Sequence, residues 1–192
     1  MPAKDTILKL APSNDLASLN RAYVELAMRL TLLEKLQHLF VEPEALEANV
    51  EKALDIFMEA FDTSSGSILL YDEDRDDLFF AAARGPKAAA IMKFRLKKGE
   101  GLAGAAAESR APVVVSDASR DPRFSQEIAH AVGYEVRSLL AVPILFKGNM
   151  FGVVELLNRR KTDLFNGTEL ALAAEGARIL GMLIAIGSRL RN

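Results

Sequence analysis

Apolar residues recur along the first part of the chain with the spacing of a helix. Leu16, Leu19, Tyr23, Leu26, Leu30 and Leu33 step alternately by three and four residues, which lays a single apolar stripe along a helix. Pro12-Ser13-Asn14-Asp15 places capping side chains just ahead of it, so the pattern predicts a helix over 13–41 behind a flexible tail over 1–12. The same steps make a coiled-coil seam. The stripe could therefore pack on its own domain or pair with a second copy through Leu19, Tyr23, Leu26, Leu30 and Leu33. Pro43 breaks the run and suits the first turn of a second helix, whose apolar face is Leu46, Val50, Leu54, Phe57 and Phe61.

Beyond that helix the pattern changes to short apolar runs between turn residues. Residues 65–71 and 78–84 read as strands joined by the polar stretch 72–77, a hairpin. Residues 94–97 alternate apolar and charged, as a strand with one wet face does. A short helix over 102–109 ends at Pro112, and 113–115 forms another strand. Residues 117–133 are irregular and partly helical. Two more strands, 138–146 and 150–157, enclose the turn Lys147-Gly148-Asn149, and Gly152 inside the second marks a bulge or a close backbone approach. Asn166 and Glu169 have capping-box spacing and open a last helix reaching Leu190. That helix carries two apolar stripes, one through Leu180 and Ile184, so it fits between a sheet and a partner helix. Leu180 and Ile184 accordingly join the candidate seam.

Composition narrows the function classes. Half the residues are apolar and 26% are charged, the balance of a folded domain. With 192 residues, one domain and an appended helix fit more easily than two domains. A net charge of -2 offers no field for polyanions, so neither nucleic acid nor an anionic membrane is an expected partner. The chain has no cysteine, which excludes disulfides, thiolate metal sites and thiol nucleophiles. The start of the chain lacks a signal-peptide pattern. The longest uncharged apolar stretch, 179–188, is about half a membrane span. A cytoplasmic location follows as the expectation.

Gly99-Glu100-Gly101-Leu102-Ala103-Gly104 matches a dinucleotide-binding fingerprint, but its setting argues against that use. The strand before it is cationic, the helix after it is too short for a crossover, and the surrounding chain consists of hairpins. The glycines more simply let a strand enter a helix.

The succession of two helices, a hairpin, GEGLAG with its short helix, PVVVSD, DPRF, SLLAVPI, GVVELLN and a closing helix resembles the GAF domain family, with the sensory domain spanning 43–192. The resemblance implies an α+β fold: a six-stranded antiparallel sheet with terminal helices on one face and a ligand pocket on the other. It also implies pairing through the terminal helices and a roof over the pocket. Carried onto this sequence, the pocket involves Leu102, Ala103, Asp117, Arg120, Arg123, Phe124, His130, Val132, Val136 and Ser138, with Glu155 on a central strand. In cyclic-nucleotide-binding members the roof bonds the ligand. Here the corresponding positions fall near Ala129, Val132 and Val136, whose side chains cannot hydrogen-bond, so cyclic nucleotide is not the expected ligand. The family signature after the last strand is met by Asn158, Phe165 and Glu169, with Arg159 in place of lysine and Leu170 in place of an acid.

Other chemistry is sparse. His38 and His130 are the only histidines; His38 suits a helix C-terminus, and His130 is the one residue that could anchor haem or a metal. Asp117, Arg120, Asp121 and Arg123 form either a self-paired turn or a site greeting an anionic ligand. Glu155 is either a ligand acceptor or the partner of Arg84 or Arg137. The expectation is a non-catalytic sensor that binds an unidentified small molecule, forms a homodimer and acts on a signalling protein in trans. A dimerisation scaffold without ligand is the alternative.

Overall fold

The computed structural model describes residues 15–39, 45–123, 133–160 and 164–189. Two hairpins form the centre of the sheet. β1 (Thr63–Asp72) pairs with β2 (Asp77–Arg84), β5 (Leu139–Phe146) pairs with β6 (Asn149–Arg159), and β1 joins β6. The short strands β3 (Arg95–Lys97) and β4 (Val113–Val115) form opposite edges, giving the order β3-β2-β1-β6-β5-β4 with every pairing antiparallel. The sheet expected from the resemblance is the one observed.

Period-two alternation sorts each central strand between two cores. Ile68 of β1 and Val154 of β6 face a core shared with the long helices, whereas Leu69 and Val153 face a second core on the opposite side. Gly152 fulfils both expectations at once. A Cβ there would lie 2.0 Å from the Leu69 carbonyl oxygen. Ile144 pairs with Gly152 and Leu145 with Met150, so Phe151 is the extra residue of a bulge.

Three helices cover the first face: α1 (Asp15–His38), α2 (Leu46–Phe61) and α5 (Gly167–Arg189). The two-sided pattern of α5 matches its position between the sheet and α1. A Cβ at Gly176 would stand 3.0 Å from Phe57 and 3.3 Å from Leu32, and one at Gly181 would stand 3.2 Å from Ile144. By length and composition α5 could cross a membrane, and half of that stretch is buried inside the fold, as expected of a core helix.

The domain buries a different face of α1 from the expected stripe. Leu32 and Leu36, which are not members of the stripe, are buried in the helical core and Leu33 of the stripe packs against it, while Leu19, Tyr23, Leu26 and Leu30 stay 55 to 70% exposed. The ion pairs Arg29–Glu175 and Lys35–Glu59 fasten the inner half to α5 and α2. Leu180 and Ile184, expected in a seam, are not on the exposed stripe. They are buried in the core, because their stripe faces the sheet and satisfies itself within the chain.

Candidate functional site

The helix α4 (Gly101–Ser109) follows β3 and leads to β4. Because these strands are the two edges of the sheet, α4 must cross the face that the long helices leave open. The glycine run makes that entry tight. Gly101 adopts φ of 67°, and a Cβ at Gly104 would come 2.5 Å from the Lys97 carbonyl oxygen. The Lys97 amide donates to the Glu100 carboxylate at 3.0 Å. No parallel strand pair surrounds this motif, so the glycines serve a helix entry.

Beneath α4, and beside the single turn α3 (Ala88–Ile91), a cavity of about 110 Å³ remains over the sheet. Leu102 and Ala103 reach it from α4, Ser65 and Ser67 from β1, Glu155 from β6, and Tyr134 and Val136 from the segment before β5. Most of the wall is apolar. Glu155 is only 9% exposed and sits directly opposite Ser67 in the β1–β6 register. The Ser67 hydroxyl donates to Glu155 Oε2 at 2.9 Å. Burial pushes the Glu155 carboxyl up to about 7, with the Ser67 hydrogen bond opposing the rise. At one side of the cavity Ser65 and Tyr134 share a hydrogen bond between their hydroxyls.

Asn158, with φ of 52°, holds the segment before β5 in place. Its side-chain Oδ1 accepts the Arg137 backbone amide at 2.7 Å, and its side-chain Nδ2 donates to Glu135 O at 2.8 Å and to Tyr134 Oη at 3.1 Å. The next residue faces α5. Arg159 pairs with Glu169 at 2.5 Å, donates to Leu164 O at 2.7 Å and lies over the Phe165 ring. Glu169 in turn completes the capping box, with reciprocal 2.9 Å bonds to Asn166. The Asn158, Arg159, Phe165 and Glu169 signature is thus one continuous latch between the pocket segment and α5, and its members lie outside the cavity wall.

The structure gathers Leu102, Ala103, Val136 and Glu155 at one cavity, as the sequence reading groups them. It separates others from it. Asp117 pairs with Arg120 at 3.1 Å and Asp121 with Arg123 at 2.7 Å; these charges serve their own turn, and Asp117, Arg120 and Arg123 do not line the cavity. Ser138 is fully buried, and its hydroxyl accepts the Arg159 amide at 3.2 Å, a strand-to-strand role. Arg84 turns to Asp55 and Glu51 on α2 rather than to Glu155. Phe124, His130 and Val132 lie outside the described residues. Among the described residues no three His, Cys, Asp or Glu side chains converge as a metal site. Sequence reasoning missed Ser65, Ser67 and Tyr134. Two serines at alternate positions of an otherwise apolar strand were the available signal, since alternation puts both on one face.

An antiparallel sheet with a helical core on one face and a capped, mostly apolar cavity holding a buried acid on the other is the architecture of a sensory-domain fold, a class of fold used for small-molecule binding. The chain belongs to the GAF domain family, whose model matches residues 44–185. A dual 3',5'-cyclic-AMP and -GMP phosphodiesterase 11 from Drosophila melanogaster is 38% identical over 73 residues, covering 38% of this chain and 5% of that protein. A probable 3',5'-cyclic phosphodiesterase of Caenorhabditis elegans is 23% identical over 67% of this chain and 19% of its own length. The chain thus spans a small part of these relatives. Among solved structures, the GAF domain of a Coxiella burnetii phosphoenolpyruvate-protein phosphotransferase superposes with TM-score 0.73 at 23% identity, covering 84% of this chain and 96% of that one. The free methionine-R-sulfoxide reductase of Neisseria meningitidis gives TM-score 0.72 at 25% identity over 88% and 93% of the two chains.

Proposed function

We propose that this chain is a regulatory, non-catalytic GAF module that binds a small molecule between the sheet and α4 and works as a homodimer through the outer half of α1. The observation that supports the ligand reading best is the cavity itself, which places one buried carboxyl group among apolar walls. The enzymatic neighbours do not transfer simply. The absence of cysteine rules out cysteine-based sulfoxide reduction, and the phosphodiesterases match over only a small part of their length. The dimer reading draws on Leu19, Tyr23, Leu26 and Leu30, a regularly spaced apolar row that water faces in the single chain. A cytoplasmic setting agrees with the lack of cysteine and with the burial of α5 in the core.

In this reading, occupancy of the cavity alters β1 and β6, which form its floor. The opposite faces of the same strands pack on the helices that carry α1, giving a physical route from ligand to dimer seam. The output is a partner protein acted on in trans. A ligand-free scaffold is the second reading, favoured by the cavity's modest volume beside the ~300 Å³ and above of drug-sized sites. Native mass spectrometry of freshly purified protein tests the proposal. The expected result is a dimer that carries a small-molecule adduct. A monomer without adduct at micromolar concentration would overturn the dimeric sensor, and a dimer without adduct would favour the scaffold.

A further inference from the structure

Glu155 is out of balance with its surroundings. A buried carboxyl group in a native fold is ordinarily matched by a cation or by several hydrogen-bond donors. Here the side chain is nine-tenths buried on the floor of the cavity, and the Ser67 hydroxyl is its one hydrogen-bond partner among the described residues. Among the described residues the arginine that lines the cavity is directed elsewhere. Arg84 forks onto Asp55 with bonds of 2.8 and 3.2 Å and reaches Glu51 at 3.2 Å. Lys87 is exposed at the cavity rim.

From this geometry we infer that the cavity takes a ligand whose buried end is a compact nitrogen cation, an ammonium, amidinium or guanidinium group, seated against Glu155. The inference rests on the proposed reading of the cavity as a ligand site and specifies its chemistry. A cation supplies what the floor lacks: a counter-charge and N–H donors at a carboxylate that already holds one donor. The apolar wall formed by Phe80, Leu96, Leu102 and Leu139 excludes water and strengthens the pair. An anionic end would face the carboxyl group unscreened, and a hydrocarbon end would leave it with the Ser67 hydroxyl alone and no counter-charge. Size sets the second limit. A volume of about 110 Å³ is below the ~150 Å³ that accommodates benzene in an engineered cavity. The buried end therefore has roughly four or five non-hydrogen atoms by that comparison.

Binding of a cation requires Glu155 in its ionised form, and burial holds its carboxyl at about 7. The other titratable or charged groups lining the cavity are Arg84 of β2, Lys87 beyond it and Tyr134 before β5. Among the described residues of the lining Glu155 is the one carboxyl group, and its ionisation is the step on which cation binding depends. Affinity for a cation is expected to fall about tenfold for each pH unit below 7.

The test is a nuclear magnetic resonance titration of the full chain with four probes of similar size: n-propylammonium, methylguanidinium, n-propanol and propionate. The expected result is that the two cations shift amide signals of Ser67, Ala103 and Glu155 at pH 8, and bind at least tenfold more weakly at pH 5.5. Glu155→Gln is expected to lose at least tenfold in cation affinity while its spectrum stays folded. The pH series on the unaltered chain carries the same information if the variant does not fold. Preferential binding of n-propanol or propionate at these residues would overturn the cation and leave the ligand site standing. Equal cation affinity at the two pH values together with unchanged affinity in Glu155→Gln would also overturn it. Failure of all four probes to bind would sink both the cation and the ligand site.

Discussion

At the scale of single residues, Glu155 carries a stability cost whose sign can be worked out. Its carboxyl is raised from 4.5 to about 7 by burial, so between these values the folded chain keeps a proton that the unfolded chain has released. Stability therefore falls as pH rises through that window and reaches its full deficit above 7. The difference of about 2.5 pH units corresponds to on the order of 3 kcal/mol. Glu155→Gln retains an oxygen for the Ser67 hydroxyl and removes the ionisation. The variant is expected to be more stable than the parent at pH 8 by roughly that amount and nearly equal to it at pH 4. Urea unfolding at the two pH values measures it; a gain independent of pH would mean that burial does not perturb this carboxyl.

The element scale is governed by the latch between β6 and α5. Arg159 and Glu169 are mostly shielded from water, with side chains 17% and 10% exposed, and Glu169 also closes the N-terminus of α5. Removing the acid leaves a shielded guanidinium without its counter-charge and the Asn166 amide without its acceptor, while the Asn166 side chain still caps the helix. Glu169→Ala is expected to cost roughly 3 kcal/mol, the range for breaking a buried pair. Arg29–Glu175 is the internal control, since Arg29 is 56% exposed, and Glu175→Ala is expected to cost less than about 1 kcal/mol. Thermal or urea unfolding compares the two; equal losses would refute the distinction. The latch also explains why Arg159 fills the place where the family signature has lysine. Its planar head meets Glu169, the Leu164 carbonyl and the Phe165 ring together.

For the whole molecule, one sheet separates two cores, and α1 extends from the helical one with its outer stripe uncovered. A charge placed in that stripe should act on assembly and spare the monomer's core, which is closed by Leu32 and Leu36 further along the helix. Leu26→Asp is expected to convert a dimer to a folded monomer, read by native mass and by an unchanged far-ultraviolet circular dichroism spectrum apart from the freed helix end. An unchanged dimer mass would rule out this seam.

The sequence by itself determined the elements. Helical spacing in 16–33, strand runs ending at turn residues, and the Asn166–Glu169 box are local signals, because backbone geometry and capping act over a few residues. It also removed cysteine chemistry outright. Tertiary structure decided which apolar and charged groups meet. Leu180 and Ile184 look no different from seam residues until the sheet covers them, and Leu26 and Leu32 differ only in which side of α1 the domain occupies. Asp117, Arg120 and Arg123 bond within their own turn, whereas Ser67 finds Glu155 across 88 residues of chain. That contact exists because two antiparallel strands are held in one register. Register is fixed by the burial of both faces at once, a condition that no local stretch of sequence contains.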